Sequence, residues 1–168
     1  LFTLLGKPRI LMFRKATHYF LVSGSSDGFT ELNAFDQSLL EAGIGDTNLV
    51  RMSSILPPSC AQISPFKLPY GDLVPVAYAC ETSSKPGAWI SAAVAAAVPM
   101  DANLPGLIME VSGSGRQTEM EEQVREMAVQ GMSYRNREIK EIHVLGSEWI
   151  VQEHGAAFAG VVLWNSEG

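Results

Sequence analysis

Residues Trp89 to Val98, WISAAVAAAV, form an uncharged run of small and apolar side chains. Alanine favours a helix in such a run. Its length and the turn signal before it, Lys85-Pro86-Gly87, favour a buried strand instead. A strand built this way lets another layer approach closely, because small side chains keep little distance. We take the strand reading, and it directs the chain towards a layered architecture.

The remaining elements agree. His18–Val22, Leu73–Glu81, Leu104–Val111, Ile139–Val151 and Ala156–Trp164 carry the β-branched and apolar content of strands. Pro75 must then sit where no ladder N–H is needed. Glu110 is the one acid in its otherwise hydrophobic strand. A helix opens at Thr118, with Glu121 three residues on as a capping box, and Gly131 ends it. Met120, Val124, Met127 and Ala128 share its apolar face, a stripe suited to packing on a sheet. The loop Ser23–Gly28, SGSSDG, has neither a phosphate-binding lysine nor a GxGxxG pattern, so it reads as a connection between strand and helix. Ser112–Gly115 is a solvated loop by the same standard, and Gln62–Gly71 a loop or short edge segment. Many strands with two helices indicate an α+β layered domain.

The chain has 168 residues, enough for one domain with a sizeable core. Its formal net charge of −6 makes nucleic acid an unsuitable partner, and no apolar run approaches the ~18 residues of a membrane span. Cys60 and Cys80 make no metal motif; sequence leaves open whether they pair, and two reduced, partly buried thiols in a cytoplasmic protein is the better reading. His18, His143 and His154 lack ligand spacing, so no metal is expected. Leu1–Ala16 is apolar and basic, and Lys7, Pro8 and Arg9 interrupt any signal-peptide core. It reads as an N-terminal extension, an artefact or an edge element, with the domain running from 17 to 168.

The stretch Asn33–Pro58, NAFDQSLLEAGIGDTNLVRMSSILPP, carries the most specific pattern. Asn33 suits an N-cap, and Asp36 three residues later favours the helix N-terminus. Phe35, Leu39 and Leu40 make an apolar face, and Gly43 stops the helix. Thr47–Ile55 reads as a strand closed by Pro57-Pro58, with Ser53-Ser54 just before the break. A serine pair alone is usually a strand end or turn.

With Leu32 ahead of it, this run resembles the self-cleavage region of the archaeal-type pyruvoyl-dependent arginine decarboxylases. LPYGDLVPVAYA (Leu68–Ala79), PGLIMEVSG (Pro105–Gly113), VREMAVQGM (Val124–Met132) and AAFAGVVLW (Ala156–Trp164) extend the resemblance from about Phe20 to Trp164. It implies a four-layer αββα sandwich in a single domain. It also implies a homotrimer, or a multiple of trimers, with active sites between subunits. The expected reaction turns L-arginine into agmatine and CO2, without metal or pyridoxal phosphate. Decarboxylation leaves electron density on the α-carbon, and no side chain is an electrophile that accepts it. A pyruvoyl group made from Ser54 would, through a Schiff base to the substrate amine. The chain would be a zymogen that cleaves itself between Ser53 and Ser54.

The resemblance further implies that Asn48 stabilises the oxyanion of processing, although it could equally be a strand-start residue. Glu110, in the GLIME motif, would donate a proton, and burial on an apolar strand should raise its pKa; the alternative is a glutamate facing water. Asp36 would accept the guanidinium of the substrate, or be a helix acid and nothing else. Leu39 would line the aliphatic part of the pocket, or be core. Two other classes remain at this point: an unprocessed homologue acting as a binding or structural protein, and a nucleotide-binding module using the Gly/Ser loops. Agmatine would serve polyamine synthesis or acid resistance.

Overall fold

The computed structural model describes residues 14–165. The first thirteen residues of the expected extension lie outside them. Nine strands and two helices follow in order: β1 (His18–Asp27), α1 (Glu31–Glu41), β2 (Asn48–Arg51), β3 (Ile55–Leu56), β4 (Ala61–Gln62), β5 (Leu73–Ser83), β6 (Trp89–Pro99), β7 (Gly106–Ser114), α2 (Gln117–Ser133), β8 (Ile139–Ile150) and β9 (Gly155–Trp164). They make a five-stranded sheet, β2-β5-β9-β1-β4, and a four-stranded sheet, β3-β7-β6-β8. The β2/β5 and β1/β4 pairs are parallel, and all other pairs are antiparallel.

The run Trp89–Val98 is the middle of this arrangement. Ala92, Val94 and Ala96 point into the layer between the sheets, among Ala77, Ile108 and Val161. Ala93, Ala95 and Ala97 point the other way, against Val124, Ala128 and Met132 of α2. Strand periodicity thus places alternate alanines in two different cores. On the far side, α1 covers the five-stranded sheet, where Leu39 joins Phe20, Val22, Val74, Phe158 and Val162. The layers run α1, sheet, sheet, α2, the expected αββα sandwich.

Several expectations change. Ser23–Gly28 is no loop through most of its length: β1 continues to Asp27 and stays paired with β9 up to Gly155. Its glycine has a packing reason, because a Cβ on Gly24 would run into the Ser38 carbonyl of α1. The N-cap of α1 is Thr30, not Asn33. Thr30 has extended backbone, and its Oγ1 accepts from the Asn33 N–H at 3.2 Å. In α2 the box moves back by two residues. The Arg116 N–H donates to Glu119 Oε2 at 3.2 Å, because Glu148 draws both Arg116 and the Gln117 N–H to the helix start. Gly131 lies inside α2, pressed on Leu107 where a Cβ would collide, and the helix runs to Ser133.

A further change concerns Thr47–Ile55, which is not one strand. Its first half, β2, belongs to the five-stranded sheet, where the Met52 N–H donates to Val76 O at 2.9 Å. Its second half, β3, belongs to the other sheet, where Ser54 O accepts from the Ile108 N–H at 2.7 Å. The chain crosses between sheets at Ser53. Other expectations hold. Gly43 ends α1 with φ of 78°, and Pro75 precedes the β5/β9 ladder, which starts at Val76.

Candidate functional site

Ser53 is exposed and Ser54 half-buried at the crossing. Neither can be absorbed into an uninterrupted ladder, because each neighbour is committed to a different sheet. The register beyond is set by Ile55 opposite Leu107 and Leu56 opposite Gly106. Ser54 therefore lies beside Ile108, two residues from Glu110 on β7.

Glu110 follows Ile108 on the face of β7 turned to the inter-sheet core. Its Oε2 is shielded from solvent and has no hydrogen-bond partner among the described residues. A buried carboxylate oxygen left alone is costly when ionised, and desolvation pushes the Glu110 pKa above its ordinary value. The Arg51 cation pulls it the other way with a smaller effect. The raised pKa shifts the balance towards the acid form, the form a proton donor needs.

Arg51 and Tyr78 were not singled out in the sequence. Arg51 stands two residues before Ser53, donates from Nη2 to Tyr78 O at 3.2 Å, and lies 4.6 Å from the centre of the Tyr78 ring. An arginine ending a short strand beside a serine pair was the available signal. Above Glu110, Ser112 Oγ bridges the sheets by donating towards Cys80 O and Glu81 Oε2, both at 3.2 Å. On the other side of the crossing, Val50, Met52, Ile55, Leu73, Pro75 and Asp72 line an open cavity of about 580 Å³.

The remaining candidates lie elsewhere on the protomer. Asn48 is at the opposite end of β2 from Ser53, exposed, with Nδ2 donating to Gly71 O at 2.9 Å. Asp36 is exposed on the outer side of α1, and Leu39 is buried beneath the same helix at 7% exposure. One chain thus brings Ser53, Ser54 and Glu110 together, and does not bring Asp36, Leu39 or Asn48 to them.

The cysteines are poor nucleophiles here. Burial pushes the Cys60 thiol up to about 11 and the Cys80 thiol up to about 12, and both are free. No group of three metal-ligating side chains occurs among the described residues. No described helix is long and apolar enough to cross a membrane.

Residues 18–168 match the family model described as pyruvoyl-dependent arginine decarboxylase. The chain is 51% identical over 145 residues to a protein of Methanocaldococcus jannaschii named pyruvoyl-dependent arginine decarboxylase, covering 86% of this chain and 87% of that one. A Methanococcus maripaludis protein of the same name is 48% identical over 86% of this chain and 88% of its own. One from Pyrococcus horikoshii is 37% identical over 85% and 91%.

Proposed function

The chain belongs to the pyruvoyl-dependent arginine decarboxylase family, and from that premise we propose that it is a self-processing enzyme converting L-arginine to agmatine and CO2. The observation that carries the reading is the crossing itself: Ser53-Ser54 spans two sheets two residues from a glutamate whose Oε2 is buried without a partner.

Processing starts when Ser54 Oγ attacks the Ser53 carbonyl carbon. The Ser53–Ser54 peptide bond breaks and an ester forms in its place. Elimination then removes the Ser54 Cα hydrogen and breaks the Cβ–O bond, which releases a fragment ending in the Ser53 carboxylate. The dehydroalanine left at position 54 rearranges, takes up water and loses ammonia. The tetrahedral oxyanion of the first step needs a donor, and Asn48 is our candidate. In this protomer its amide donates to Gly71 O, so the role requires it to be released or supplied by a neighbouring copy.

The surroundings of position 54 suit a pyruvoyl group: half-buried, held by a backbone bond to Ile108, and beside an acid whose pKa burial raises. When present, that group supplies the electron sink that the side chains lack. Glu110 holds a proton at its carboxyl and delivers it to the substrate α-carbon after CO2 departs. Asp36 accepts the guanidinium through two parallel N–H bonds, and Leu39 packs the aliphatic chain. A second subunit would have to bring α1 to the crossing, so the reading includes a trimer, or a multiple of trimers, with shared sites.

Intact mass under denaturing conditions tests this directly. Processing yields one fragment ending at Ser53 and one of the remaining 115 of 168 residues. The second should be one ammonia lighter than the serine-ended peptide. An uncut chain that still decarboxylates arginine would overturn the reading.

A further inference from the structure

A second cavity, of about 620 Å³, lies between the β1/β4 edge and the ends of β6 and β8. That volume suits a small organic ligand. Its body is apolar: Leu56, Val98, Pro99, Met100 and Leu104 form the wall. Met100 and Leu104 are 59% and 39% exposed, so apolar surface is left uncovered there.

Three polar groups converge on this wall. Tyr19 lines the cavity, yet the residue is 1% exposed and its hydroxyl makes no hydrogen bond among the described residues. A phenol at a cavity wall with no protein partner is a donor open to an acceptor. Lys140 and Glu141 stand at the rim. They reach it through an irregularity: Val98 pairs with Glu141 but Pro99 with Ile139, which leaves Lys140 as the extra residue of a bulge. Bulges commonly re-aim side chains beside sites. The two charges lie 3.9 Å apart and are well exposed, so their mutual attraction is weak, and the other carboxylate oxygen of Glu141 lies 3.6 Å from His143 Nε2. The wall is braced by Ser59, whose backbone has φ of 58° and whose Oγ donates to Ala102 O at 3.0 Å.

We infer that this cavity binds a free α-amino acid with an apolar side chain. Its carboxylate would take Lys140 and the Tyr19 hydroxyl, its ammonium Glu141, and its side chain the wall of Leu56, Val98, Met100 and Leu104. An anion alone would face Glu141, and a cation alone would face Lys140. A wholly polar ligand would leave the apolar wall unused. A zwitterion with an aliphatic body satisfies all of these surfaces. The inference does not rest on the decarboxylase reading, because none of Asp36, Ser53, Ser54 and Glu110 lines the cavity.

The test is calorimetric titration of the full chain with L-leucine in excess agmatine, alongside 4-methylpentanoate and 3-methylbutylamine, which each lack one charge. Saturable leucine binding is expected, with each truncated probe about tenfold weaker or worse. Lys140→Ala should abolish the preference for leucine over the amine. Tyr19→Phe, which removes only the hydroxyl, should weaken leucine about threefold to tenfold. No saturable heat with leucine, an affinity unchanged in both variants, or displacement of leucine by agmatine would each overturn the inference.

Discussion

The β6 strand and the β2–β3 crossing are opposites. β6 runs eleven residues, pairs on both edges, and buries its alanines on both faces. The crossing offers four residues to one sheet and two to the other, and leaves Ser53 exposed between them. Close packing makes β6 intolerant of added volume. The crossing has little packing to lose, and its peptide bond can be cut while the sheets around it stay joined through β5, β9, β6 and β7. On the proposed reading, stability and chemistry occupy separate parts of one molecule, and the division can be tested by mutation.

The largest effect should come from the crossing. Ser54→Ala is expected to abolish chain cleavage and all arginine-dependent CO2 release, with a thermal midpoint close to that of the unprocessed chain. A variant that still splits would break the comparison at its chemical end.

Glu110→Gln is next. Turnover should fall by about 10²- to 10⁴-fold, the usual weight of a positioned acid, while circular dichroism stays native. Its pH dependence sharpens the point. Glu110 has a raised folded pKa, so between its ordinary value of 4.5 and that raised value the folded state holds the proton more tightly than the unfolded chain. The stability this lends is present at low pH and is lost as pH rises through that window. Gln cannot ionise, so the midpoint of the variant should gain on wild type as pH rises above 4.5 through that window. A constant difference across that range would mean that the carboxylate is not disfavoured by the fold.

Ala96→Leu probes the other region. Extra volume between the sheets should cost about 1–3 kcal/mol, read from urea denaturation. Unchanged stability would mean that the inter-sheet layer has room to yield. The smallest effect is at the helix start: Thr30→Ala should cost about 1 kcal/mol in the same assay. Asn33→Ala should cost less, because Asn33 supplies the capped N–H from its backbone. Equal losses would return the cap to Asn33.

Much of this was legible in the chain. The strand at Trp89–Val98, read from its length and the turn before it, the stop at Gly43, the turn at Lys85-Pro86-Gly87 and the isolated acid Glu110 each rest on the residue and its near neighbours. The raised Glu110 pKa does not, because the same acid on a face turned to water would keep its solvation, and only the inter-sheet layer removes it. The run through Ser53-Ser54, together with the motifs after it, was enough to place the chain in its family.

Other features depended on groups distant in sequence. Ser23–Asp27 looks like a loop until β9 pairs along its whole length, and Gly24 looks like flexibility until α1 presses on it. Arg116 starts α2 because Glu148, from β8, holds it. The apolar run Thr47–Ile55 says nothing of which sheet it serves. That was decided by two backbone bonds, Met52 to Val76 and Ile108 to Ser54, made with strands of different sheets. Local sequence determined which segments form elements and which face of each is apolar. Only the tertiary structure decided where the chain changes sheets, because that choice is made by partners supplied from elsewhere in the fold.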